Sequence, residues 1–121
     1  MIAADSTGMS APASPYFTVD QVLALPDDGQ RYELAYGELL VSPSPSLPHK
    51  LVAGRLIRAI ADYCDRERVG QAFYSPADLT WGRDDVLLQP DVFVIGREDD
   101  GLMSWGSLRH IALVAEVLRA S

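Results

Sequence analysis

The stretch from Leu47 to Arg68 constrains the fold more than any other part of this chain of 121 residues. At about 100° per residue, Val52, Ala53, Leu56, Ile57, Ala59, Ile60, Tyr63 and Cys64 fall on one arc, with Lys50, Arg55, Arg58, Asp62, Asp65 and Arg66 opposite. That is a long amphipathic helix, whose apolar face must pack on a sheet or on a second subunit. Pro48 suits its first turn, and Gly70 is expected to close it. Cys64, the single cysteine, reads as core packing, because unpaired cysteines behave as small buried hydrophobes.

Strand-like runs surround this helix. Thr18-Val19-Asp20-Gln21 matches a capping box opening a short helix, which Pro26 and Asp27-Asp28-Gly29 end. Arg31 to Leu34 and Glu38 to Ser42 read as two strands around Ala35-Tyr36-Gly37, with Gly37 supplying the positive φ of a tight turn. After the long helix come Gln71 to Tyr74 continuing through Asp78 to Trp81, then Val86 to Ile95, then Ile111 to Leu118. Asp84-Asp85 suggests a hairpin between the first two, and Trp105 is expected to anchor the loop from Gly101 to Ser107. Residues 1–15, rich in Ala, Ser, Pro and Gly, read as a mobile leader before a single domain over 16–121.

Composition narrows the function classes. Seventeen acidic residues against ten basic ones give a net charge of −7, which argues against a broad basic face for nucleic acid. Bound divalent ions locally reverse the sign of an acidic cleft, so a nucleic-acid enzyme is not excluded. One cysteine rules out an internal disulfide framework. No apolar run reaches the length of a membrane span and no secretory signal opens the chain, so a cytoplasmic protein is expected.

Two carboxylates lie in apolar strand sequence: Asp91 in Gln89-Pro90-Asp91-Val92-Phe93-Val94-Ile95 and Glu116 in Leu113-Val114-Ala115-Glu116-Val117-Leu118. Burying such groups is costly without a cation or hydrogen bonds to offset them. Asp91 shares parity with Phe93 and Ile95, and Glu116 with Val114 and Leu118, so both are expected to face a covered side. On neighbouring strands the two could hold one Mg²⁺. On spacing alone, a structural ion pair is the commoner outcome.

Arg31-Tyr32-Glu33-Leu34-Ala35-Tyr36-Gly37-Glu38-Leu39-Leu40-Val41-Ser42-Pro43-Ser44-Pro45 resembles the N-terminal signature of the Uma2 (DUF820) family. The similarity continues through His49 near the helix start, Ser75-Pro76-Ala77-Asp78-Leu79, the Gln-Pro-Asp strand and Glu116-Val117-Leu118. It implies an α/β (α+β) fold with the restriction-endonuclease-like core of the PD-(D/E)xK superfamily, a mixed sheet flanked by the long helix. It also implies Mg²⁺- or Mn²⁺-dependent hydrolysis of DNA phosphodiesters. In that reading Asp91 and Glu116 are the metal ligands, Glu38 is a candidate third acid and His49 a helix-borne contributor. Each has a plainer alternative: Glu38 as a solvent-facing hairpin residue, His49 as part of the helix start. Tyr32 and Trp81 read as packing anchors, and Arg55 and Arg58 as a solvated helix face.

The chain departs from the superfamily pattern where a lysine is due two residues after the second acid, since Leu118 stands there. Its one lysine, Lys50, is expected to face solvent, and Arg119 stays protonated and makes a poor base. The missing lysine predicts weak or absent cleavage, and the family's terminal helix, expected to be missing, predicts a homodimer covering the open face. A non-catalytic oligomerising or partner-binding module is the rival reading, and a hydrolase of small phosphoesters a third. The nuclease reading requires Asp91 and Glu116 to converge. Separation onto opposite faces, or capture by arginines, counts against it.

Overall fold

A computed structural model describes residues 16–99 and 101–118; the leader and the last three residues lie outside the described part. In chain order come α1 (Val19–Leu23), β1 (Arg31–Ala35), β2 (Glu38–Ser42), α2 (Leu47–Glu67), β3 (Gln71–Tyr74), β4 (Val86–Leu87), β5 (Val92–Ile95) and β6 (Leu113–Ala115). Short 3₁₀ turns at Arg97–Asp99 and Trp105–Ser107 precede β6. The α+β class holds, but in place of the expected mixed sheet the described strands make two small antiparallel ones, because each pairs with a neighbour that runs the opposite way. The strands form two three-stranded sheets, ordered β2-β1-β4 and β3-β5-β6, and the pairings among the described strands are antiparallel.

The first sheet grows from local signals. Thr18 Oγ1 accepts from the Gln21 N–H while the Gln21 side chain accepts from the Thr18 N–H, the expected capping box. Tyr36 and Gly37 both take positive φ, 50° and 85°, as a two-residue hairpin turn of matching twist requires. Leu34 then points with Val22 and Leu87 into a small core that Phe17, Tyr32 and Leu39 cover. Asp85 ties the turn down. It accepts two bonds from Arg83 (2.7 and 2.9 Å) and one from the Tyr16 hydroxyl (2.7 Å), while its carbonyl accepts from the Gly37 N–H. The Arg83 guanidinium, then the Tyr16 hydroxyl, hold the Asp85 carboxyl down at about 2.

The second sheet carries the main core. Phe93 and Ile95 of β5 pack with Ala77, Leu79 and Leu108, and Trp81 and Trp105 close the cluster. Trp105 meets Phe73 and Phe93 edge-on at 5.0 and 5.5 Å, so it does anchor its loop. On the other face of β5, Val94 with Ala72 receives Ile57, Ile60, Ala61 and Cys64 of α2.

Four further expectations need correction. The inward stripe of α2 is narrower than the arc read from periodicity: Val52, Ala59 and Tyr63 are exposed, because the helix packs mainly on β3 and, less closely, on β5. The αL residue ending α2 is Arg68, not Gly70. Gly70 is needed for a different reason: its φ is 152° and a Cβ there would collide with the Ile95 carbonyl oxygen. The run Val86 to Ile95 is two strands in different sheets, because Pro90 has no N–H for a ladder and the Gln89 N–H goes to a side chain. The expected partner strand over Asp78 to Trp81 shrinks to one bridge, Leu79 opposite Leu88. The break between β4 and β5 is what creates the site.

Candidate active site

Because Leu34 faces its core, alternation along β1 sends Arg31 and Glu33 to the opposite side of the strand. There they meet the segment linking β4 to β5. Glu33 Oε2 accepts from the Gln89 N–H at 2.7 Å, replacing the ladder bond that β4 gives up. Arg31 Nη2 donates to the Gln89 carbonyl at 2.8 Å and lies 3.1 Å from Glu33 Oε1. The Gln89 side chain continues to Asp78 Oδ1 at 2.6 Å. The two sheets are thus joined through polar side chains at the place where Pro90 interrupts the strand.

Asp91 follows that break, with 2% of its surface exposed. Arg31 Nη1 donates to its Oδ1 at 3.3 Å. Its Oδ2 lies 3.3 Å from His49 Nε2 and accepts from the Val117 N–H at 2.8 Å. The contact with His49 brings the first turn of α2 onto the centre, while His49 Nδ1 is buried without a hydrogen-bond partner. The β5–β6 register, Val92 opposite Ala115, continued by one residue sets Asp91 opposite Glu116. Partial desolvation first, then the Asp91 charge and a hydrogen bond to Asp91, push Glu116 up to about 7; Glu33 adds to the rise and Arg31 opposes it.

The convergence of Asp91 and Glu116 is therefore met, and the capture by arginine is met on one side only. Arg31 takes Asp91, whereas Glu116 makes no ion pair among the described residues. The covered face expected for Glu116 is not found: Glu116 is itself exposed, Val114 is half-exposed and Leu118 is 86% exposed, because β6 is an edge strand of its sheet. Glu38 is not brought to the centre. It pairs with Ala35 at the turn, four residues along β1 from Arg31, on the order of 13 Å at strand spacing. Glu33, two residues nearer on the same face, occupies the place the sequence reading offered to Glu38. Arg31, Glu33 and Gln89 were missed as site residues. The signal was the alternation in Arg31-Tyr32-Glu33-Leu34, two charges on one face and two packing residues on the other.

The donor chemistry fits a hard divalent cation: carboxylates of Asp91, Glu116 and Glu33 with the Gln89 carbonyl, all oxygen. The arrangement is not a preformed cage. No group of three or more His, Cys, Asp or Glu among the described residues is disposed to hold a metal ion. The Arg31 guanidinium already sits between Glu33, Asp91 and the Gln89 carbonyl, so an ion there has to displace it or enter from the Glu116 side.

An α+β domain with an acid cluster at a strand break is the class that fold and site define. The Uma2 family model, whose description reads "Putative restriction endonuclease", matches residues 19–121, and the chain belongs to that family. No curated protein matches the chain. Among the described residues, no helix is long and apolar enough to cross a membrane.

Proposed function

We propose that this domain is a phosphodiesterase of the endonuclease type, acting on DNA with Mg²⁺ or Mn²⁺ held by Asp91 and Glu116. The observation that carries the reading is the pair itself: two acids face each other across β5 and β6, and Glu116, though exposed at the sheet edge, is pushed up to about 7 by partial desolvation and by Asp91. Acids kept in mutual repulsion are what a cation site requires before the cation arrives. A bound ion would supply Lewis-acid polarisation of a phosphoryl oxygen and a more acidic water. The chain's own groups do the rest. Glu116, titrating near neutrality, can take a proton from water at its carboxylate. Asp91 holds the His49 ring by Nε2, which fixes the first turn of α2 beside the acid pair. Glu33 and Gln89 fix Arg31 beside Asp91. Cleavage is expected to be weak, since Leu118 stands where a lysine would orient the attacking water.

The test is calorimetric titration of the chain with Mn²⁺. Site-specific binding that disappears in Asp91→Asn and in Glu116→Gln, and that tightens as pH rises through about 7, supports the reading, because Glu116 must lose its proton to bind. Absence of binding supports the rival, a non-catalytic interaction module. One observation favours that rival: Asp91 is already satisfied by Arg31, His49 and the Val117 N–H. Self-association belongs to either proposal, with a second copy covering the exposed Leu47, Leu51 and Val52 of α2. A scattering mass of one chain at micromolar concentration would count against it.

A further inference from the structure

Beside Asp91 lies a cavity of about 260 Å³, whose lining includes His49, Lys50, Tyr74, Ser75 and Asp91. Two elements build it. The first turns of α2 bring His49 and Lys50, and the end of β3 brings Tyr74 and Ser75, held there by the Ser75 N–H donating to the Asp91 carbonyl. The basic side chains around the acid cluster divide by use. Arg31 is spent between Glu33 and Asp91, and His49 is spent on Asp91. Lys50 is the single lysine of the chain; it lines the same cavity and makes no ion pair among the described residues. The helix backbone cannot do its work. Pro48 has no N–H, the His49 N–H goes to Ser46 Oγ, and the Lys50 N–H goes to the Ser46 carbonyl.

We propose that this cavity is a phosphate subsite, with the Lys50 ammonium binding the non-bridging oxygens of a phosphate ester placed beside Asp91. The proposal rests on the phosphodiesterase reading and deepens it: it names the group that receives the anion next to an acid cluster in a chain of net charge −7. An anionic ester cannot approach Asp91 and Glu116 without a local positive charge to offset their repulsion. Lys50 is exposed and flexible enough to supply it from the rim, and an ammonium binds phosphate as a point charge. Tyr74, 65% exposed at the same cavity, offers an apolar surface next to the ester.

The experiment titrates the intact chain with inorganic phosphate and, separately, with a short single-stranded DNA oligonucleotide, and measures Mn²⁺ affinity on the same samples. Lys50→Met is expected to weaken phosphate binding about tenfold, as loss of one charge-assisted contact does. Lys50→Arg restores most of it, and Arg55→Met, exposed on the far side of α2, leaves it unchanged. Unchanged Mn²⁺ affinity and thermal midpoint in Lys50→Met show that the fold and the acid pair are intact. A tenfold loss for the oligonucleotide alone assigns the subsite to polymer; a loss for both ligands assigns it to the phosphate group itself. Equal binding of both ligands by wild type and Lys50→Met, no saturable binding of either ligand by wild type, or an equal loss in Arg55→Met overturns the subsite. If wild type binds no Mn²⁺ yet Lys50→Met still loses phosphate, the metal reading fails and the subsite stands.

Discussion

Asp85 and Asp91 are both buried acids beside an arginine, yet their surroundings have opposite consequences. Asp85 meets the Arg83 guanidinium with both oxygens, shares one with the Tyr16 hydroxyl, and is held at about 2 with no second acid pressing on it. Every contact favours its charge, and the result is a clamp on the β1–β2 turn. Asp91 also has an arginine, a histidine and a backbone donor, but Glu116 faces it and is driven up to about 7. A structural ion pair resolves its charges. A functional cluster keeps some of them unresolved, and the difference teaches that burial of an acid alone does not distinguish the two.

The sharpest way to break this comparison is to remove each acid. Asp91→Ala strands Arg31 and His49 around a buried vacancy; a cost of about 3 kcal/mol in urea unfolding is expected, together with loss of Mn²⁺ binding. If that variant instead kept its metal affinity, the functional half of the contrast would be gone. Asp85→Ala is expected to lower the thermal midpoint at neutral pH with metal binding untouched. The sign follows from a depressed carboxyl: its contribution is present above the unfolded value of 3.8 and is lost as pH falls toward about 2, so the gap to wild type closes in acid.

Glu116→Gln tests the opposite sign. A raised carboxyl contributes fully below the unfolded value of 4.5 and loses that contribution as pH rises through about 7. Wild type therefore declines relative to the variant across that window, and thermal melts in a pH series read the crossover directly; parallel pH profiles would remove the repulsion argument. The smallest effect belongs to Arg66→Ala, which deletes the solvated i,i+4 pair with Asp62 (side chains 61% and 70% exposed). A change below about 0.5 kcal/mol is expected there, and a larger one would show that surface pairs in this chain are not the neutral reference.

Much of the fold was legible because its signals are local. The capping box at Thr18, the turn at Tyr36-Gly37, the bounds of α2 and the burial of Cys64 each depend on residues within a few positions, or on one helical period. The acids at 91 and 116 could be singled out because charge in apolar strand sequence is conspicuous. Glu38 was offered as a third acid and Glu33 was not considered, because hairpin position says nothing about which end of the strand meets the β4–β5 link. Likewise the continuous run Val86 to Ile95 hid a break, since hydrophobicity does not reveal that Pro90 and a diverted Gln89 N–H send its halves to different sheets.

Taken alone, the order of residues settled an α+β chain of this family, a long helix needing a sheet, and two acids out of keeping with their neighbours. Tertiary structure alone decided that Arg31, Glu33 and His49 surround Asp91, that Glu116 stands opposite it, and that Lys50 borders the same cavity. The physical reason is distance: periodicity is written in neighbouring residues, whereas the charge balance of a site is summed over groups that only folding brings together.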